Sequence, residues 1–106
     1  MYSRDFNTIA DMQQVTATTT ASALPDVSLA SGEKTPERVL IQSLSTNTAP
    51  VFIKNADDVA LDGSTGGHEL PAGSNILLPL SGGLYKSYFI IASTGSQKLQ
   101  VTYLAV

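Results

Sequence analysis

From Glu37 onward the chain is a succession of short apolar bursts separated by Gly, Pro, Asn and Asp. The bursts alternate with period two, the side-chain period of a half-buried strand. In "ERVLIQSLS", Val39 and Ile41 share one face and Arg38, Leu40 and Gln42 the other. In "PVFIKN", Val51 and Ile53 share a face with Phe52 opposite. "SNILLPLS" predicts a third strand, and Pro79, which lacks an amide hydrogen, restricts it to a sheet edge or a strand end. "LYKSYFIIAS" holds a β-branched and aromatic run from Tyr88 to Ile91. "SQKLQVTYLAV" closes the chain, with Leu99, Val101 and Tyr103 on one face and Gln100 and Thr102 on the other.

The punctuation between bursts is turn chemistry. "LPAGS" offers Pro71 to preset φ and Gly73 as the permissive position. "SGG" at Ser81 to Gly83 joins two apolar runs, and "STGS" at Ser93 to Ser96 predicts a hairpin between the last two strands. Between Asn55 and Gly83 the residues "VAL" at 59–61 suggest one further short strand inside an exposed glycine loop.

The N-terminal third has a different texture, rich in Ser, Thr and Ala. "QQVTATTTASALP" predicts a first strand from about Gln13 to Ala21, or alternatively a flexible arm. "MYSRDFNTIADM" has the polar start of a short helix at Ser3 or Asp5, and residues 26–36 read as an exposed loop. The resulting organisation is an N-terminal arm, residues 1–12, ahead of a single β-domain, residues 13–106. Strands at this spacing without an amphipathic helix predict an all-β fold, an antiparallel sandwich or barrel.

Composition narrows what such a domain does. Charged residues make up only 14% of the chain against 42% hydrophobic, below the usual quarter. Ser, Thr, Asn and Gln must therefore cover the surface, which suits a protein packed against others. The net charge of -3 and the six scattered basic residues argue against phosphate-driven nucleic-acid binding. With no cysteine, disulfides, thiolate metal sites and a cysteine nucleophile are excluded. No apolar run reaches the length of a membrane helix and the N-terminus has no signal-peptide core, so the expectation is a soluble protein made in a cytoplasm, with no membrane partner.

The stretch that most resembles a chemical site holds Asp57, Asp58, Asp62, His68 and Glu69. Read as a calcium loop from Asp57, it has Val59 and Leu61 where ligands belong and His68 in place of the closing Glu. A zinc site needs a second His or a Cys. A triad would have to use His68, and no G-x-S-x-G elbow exists to present a serine. The glycine runs lack the P-loop lysine. The expectation is therefore a non-enzymatic protein without metal or cofactor. Of the aromatics Tyr85, Tyr88, Phe89 and Tyr103, two are expected in the core and two at an interface rim. The apolar anchors Met1, Tyr2, Phe6 and Ile9 in the arm suit docking on a neighbouring subunit.

The run from "RVLIQSLSTNTAP" through "VFIKNADDVA" resembles a small β-sandwich module found among structural proteins of tailed-bacteriophage virions. The similarity continues in the G-x-x-L-x-A-G turn of Gly67, Leu70, Ala72 and Gly73. It ends in the closing element of Leu84, Tyr85, Ile91, Ala92, Ser93, Gly95 and Val101, and it extends back to "VTATTTASALP". The chain departs from that pattern at Lys54 and Asn55, where the family often has glycine, and in the longer spacer "LDGSTGGHE" and the Lys86 to Phe89 insert. The resemblance implies a small antiparallel β-sandwich or jelly-roll-like domain with an extended N-terminal arm. It also implies a virion component, oligomeric or bound to a larger lattice, without fixing its place on the particle; the first expectation within that class is a capsid decoration (cement) protein on the outer head surface that stabilises the shell. Its partners would be itself, as a homo-oligomer taken to be a trimer, and the major capsid protein or other virion proteins. Its site would be the phage particle surface after synthesis in the host bacterial cytoplasm. A tail, baseplate or head-to-tail connector component is the alternative, and a carbohydrate- or receptor-binding module using the tyrosines a further one. The expected subunit-contact residues are Tyr2, Phe6, Ile9, Gly66, Gly67, His68, Glu69, Tyr85 and Tyr88.

Overall fold

The computed structural model describes residues 8–25, 36–60, 62–80 and 88–105. They form eight strands: β1 (Thr8–Ala17), β2 (Ser22–Ala23), β3 (Arg38–Ser43), β4 (Val51–Lys54), β5 (His68–Leu70), β6 (Asn75–Pro79), β7 (Phe89–Ala92) and β8 (Gln97–Ala105). One sheet has the order β1-β8-β3-β6 and the other β2-β7-β4-β5, with every pairing antiparallel. The expected all-β sandwich is thus found. The first strand pairs the last, the second the seventh, the third the sixth and the fourth the fifth. The winding is that of one long hairpin, closed at β4–β5, rolled up on itself.

β8 shows why the sheets face each other. Leu99, Val101, Tyr103 and Ala105 are fully buried at alternate positions, and their cross-strand partners in β3 include Val39 and Ile41, also fully buried. Across the sandwich these meet Val51, Ile53, Leu70, Ile90 and Ala92 of the second sheet, with Leu24 and Leu80 closing the ends. Burying each such side chain is worth about 1.5–3 kcal/mol. The Tyr103 hydroxyl, carried into this layer, donates to the Pro25 carbonyl at 2.8 Å.

Three sequence expectations change. First, Ser93 to Ser96 is not a hairpin: β7 and β8 lie in different sheets. Each already has two strand neighbours, so neither can take the other. The intervening residues cross the sandwich, which is about 10 Å thick, and Gly95 supplies the positive φ of +59° at the corner. Second, the N-terminal segment is not helical where it is described. Residues 8–12 belong to β1, which pairs with β8 from Thr8↔Ala105 to Ala17↔Gln97. A lone helix without an apolar stripe has no face to bury, whereas the ladder with β8 carries this strand on to the core at Val15 and Ala17. β1 thus starts inside the stretch set aside as an arm and stops at Ala17 rather than Ala21. Third, Val59 is not in a strand, although it is buried. Pro79 fits its expectation, as the last residue of the edge strand β6. The expected turn at Ser81 to Gly83 and most of the loop at 26–36 lie outside the described residues, although Pro36 is buried.

The β3–β4 loop is fastened to β8 by two side-chain amides. Asn47 acts as a substitute strand: its Oδ1 accepts from Lys98 N at 2.8 Å, and its Nδ2 donates to Lys98 O at 2.8 Å and Ser43 Oγ at 2.9 Å. Gln97, only 3% exposed, accepts from Thr48 N at 2.9 Å and Ala49 N at 3.3 Å. It donates to Thr94 O at 2.9 Å and Thr48 Oγ1 at 3.3 Å. One amide thereby holds the corner after β7 against the loop before β4.

Replacing Gln97 with Leu keeps the volume but leaves the buried Ala49 amide without its acceptor. We expect a loss of about 1–3 kcal/mol, read as a lower urea midpoint at unchanged slope.

Candidate functional site

The outer faces of the two sheets differ. On the β2-β7-β4-β5 sheet, Phe52 and Ile91 point away from the main core, yet both are buried. The β4–β5 connection folds back over them. Val59 inserts against Phe52 and Ile91, with Ala21 and Phe89 packed around the edge. Close approach is possible because two positions lack a side chain. A Cβ on Gly63, whose φ is +74°, would lie 2.8 Å from Phe52 Cε1. One on Gly67 would lie 3.1 Å from Val59 Cγ2.

The acids of this connection hold it in shape. Asp58 pairs with Lys54 at 2.8 Å. Lys54 Nζ also donates to Thr65 O at 2.6 Å, and Thr65 Oγ1 donates to Asp58 O at 2.7 Å. Asp62 accepts from Ser64 N at 3.0 Å, the local turn bond typical of aspartate. The hydrogen bond from Lys54 holds the Asp58 carboxyl below its ordinary value of 3.8, and the bond from Ser64 does the same for Asp62. Among the described residues no three His, Asp or Glu side chains converge as a metal site would require. Nor do the described residues enclose a pocket.

His68 and Glu69 do not lie in the glycine loop, as their neighbours in sequence suggested. They form β5, opposite Ile53 and Phe52 of β4, at an exposed sheet edge. Gly66 and Gly67 lead into that strand. Tyr88 packs against the protein's own core, and its hydroxyl donates to Pro79 O at 2.7 Å. Ile9 stands far from these in the fold, on the outer face of the other sheet. Tyr2, Phe6 and Tyr85 lie outside the described residues.

That other face carries what the sequence reading did not single out. On the β1-β8-β3-β6 sheet the registers Met12↔Thr102, Thr102↔Leu40 and Leu40↔Leu77 place these four side chains in one row across all four strands. The next row toward the end of β8 contains Ile9, Leu104, Arg38 and Pro79. On the other side of the apolar row lie Gln14, Gln100, Gln42 and Asn75, an unbroken row of amides. The three large apolar side chains that stand exposed among the described residues are Ile9 (54%), Met12 (53%) and Leu77 (46%), and all three are on this face. No acid shares these three rows. The signal was present in "VLI" and "ILL": an apolar residue on the wrong face of a period-two strand is one that something else must cover.

The site geometry yields two expectations. Gly63→Ala combines a disfavoured backbone with a clash against Phe52, so it should cost about 1–3 kcal/mol and more than Gly66→Ala, where nothing lies within 4 Å. Urea denaturation of the two variants makes the comparison. Because both lowered carboxyls favour the folded loop when ionised, their stabilisation is complete above the ordinary carboxylate range. It is lost as pH falls through the lowered values. Amide exchange at Ser64, followed from about pH 6 down to about pH 2, should accelerate beyond the intrinsic trend only at the acid end.

No protein-family model, curated protein or solved structure matches the chain.

Proposed function

We propose that this protein is a non-enzymatic structural component of a tailed-bacteriophage virion, a decoration protein that binds the outer surface of the head and stabilises the shell. The observation that carries the reading is the winding. A hairpin rolled into β1-β8-β3-β6 and β2-β7-β4-β5 has the strand order of a jelly roll, an architecture on which viral capsid domains are built. It is reached here by a sequence that resembles virion β-modules. Two further features support it. The low charge fraction of 14% lowers the desolvation cost of packing against neighbours. The side-chain bonds of Asn47, Gln97 and Tyr103 tie the connecting segments to the strands, and the outer face of the β1-β8-β3-β6 sheet keeps exposed apolar side chains for contact.

A decoration protein works by repetition. Each copy makes a modest contact, and a symmetric lattice multiplies it, so the shell resists internal pressure through many simultaneous contacts. The test is to mix the purified protein with undecorated heads and measure bound copies and the temperature of shell rupture. The expected result is saturation at a copy number set by the lattice and a higher rupture temperature. Binding at only one vertex or on the tail would move the protein to the connector or tail class. No binding to any part of the particle would discard the reading.

A further inference from the structure

We infer that the outer face of the β1-β8-β3-β6 sheet is the contact by which two copies of this chain pair, about a two-fold axis running parallel to the strands between β8 and β3. The argument starts from the contrast between the two sheets. Apolar side chains on the outside of the β2-β7-β4-β5 sheet are capped by the chain's own Val59 loop. Among the described residues nothing caps those on the outside of its counterpart in this way, and Ile9, Met12 and Leu77 remain half exposed.

The row pattern identifies the occupant. An axis along the strands, midway through the sheet, exchanges β1 with β6 and β8 with β3 while keeping each row over itself. Met12 of one copy then meets Leu77 of the other, and Thr102 meets Leu40. In the next row Gln14 meets Asn75 and Gln100 meets Gln42. Apolar lies on apolar at the two Met12–Leu77 contacts, while Thr102, already buried within each copy, lies toward Leu40. Each amide, carrying both a donor and an acceptor, lies on another amide. Arg38 comes over the apolar Leu104 rather than over a second Arg38. A face that satisfies itself in this way is the requirement for an isologous contact, and two sheets stack face to face with nearly aligned strands.

The competing route, edge-to-edge pairing, is blocked. β2 and β5 are edges of two and three residues, and β6 ends in Pro79. The long edge β1 carries a bulge between Ile9 and Asp11 and places the Asp11 carboxylate on the inward side, opposite Tyr103. Short edges, proline, bulges and inward charges all discourage strand addition. The unit is therefore a face-to-face dimer, where the expectation for a decoration protein was a trimer. This inference does not depend on the virion reading, and shell binding and self-association are measured separately.

Sedimentation velocity over a range of concentrations should show a monomer–dimer equilibrium. Met12→Lys with Leu77→Lys should raise the dissociation constant at least tenfold. Both positions are exposed, and an unchanged melting curve at low concentration confirms that the variant still folds. Glu69→Lys on the opposite side should leave the equilibrium unchanged. Because the chain has no cysteine, a second test is direct. Protein carrying Met12→Cys is mixed with protein carrying Leu77→Cys and treated with a short bismaleimide. A covalent dimer should form in the mixture and not in either protein alone, since Met12 of one copy faces Leu77 of the other. A monomer at all concentrations, a trimer, or cross-linking of Met12→Cys protein to itself would overturn the proposal.

Discussion

The structure depends on β8. Nine residues long, it is paired on both sides, with β1 from Gln97 to Ala105 and with β3 from Leu99 to Leu104. Its strict alternation turns four side chains into the core, and the core in turn fixes the register of its neighbours, because a slip of one residue would put that whole set on the outside. The two amide clamps act at the same strand. Asn47 completes the pairing of Lys98 where β3 has ended, and Gln97 joins β8 to both the corner before it and the loop across from it.

From this frame the two outer faces take different courses. Phe52 and Ile91 needed cover, and the chain supplies it with a loop whose glycines let Val59 approach and whose acids lock the loop's shape. The stretch most suggestive of chemistry is thus the lid of a small secondary core. Met12, Leu40 and Leu77 share a row with the buried Thr102 on the other outer face, and none of the described residues forms such a loop above them. A domain of this size has little apolar area to spare, so leaving such a row outside is most economically understood as surface kept for contact.

The strands β3, β4, β6 and β8 were legible because each obeys period two and is bounded by turn residues. Inward positions such as Val39, Ile41, Leu99, Val101 and Tyr103 followed directly. The misreadings have a common cause. "STGS" is good turn chemistry, but a tight turn between two strands is compatible with a hairpin and with a crossing between sheets. His68 and Glu69 were hidden by their glycine neighbours, since a three-residue edge strand carries no periodicity of its own. Leu77 was hidden because adjacent apolar residues in a run look like core on every side, and Met12 because a lone apolar residue between Asp11 and Gln13 carries no pattern.

By itself the sequence determined the class of fold, most strand positions, which side of each long strand turns inward, and the exclusion of thiol chemistry. These are local properties, set by residue type and spacing over a few positions. Tertiary structure alone decided the pairing of first strand with last, the sheet to which each strand belongs, the capping of one outer face and the alignment of Met12, Thr102, Leu40 and Leu77 into a single row. Those residues are distant in sequence, and they become neighbours only through ladder hydrogen bonds, which every backbone offers alike and whose partners no short stretch of sequence specifies.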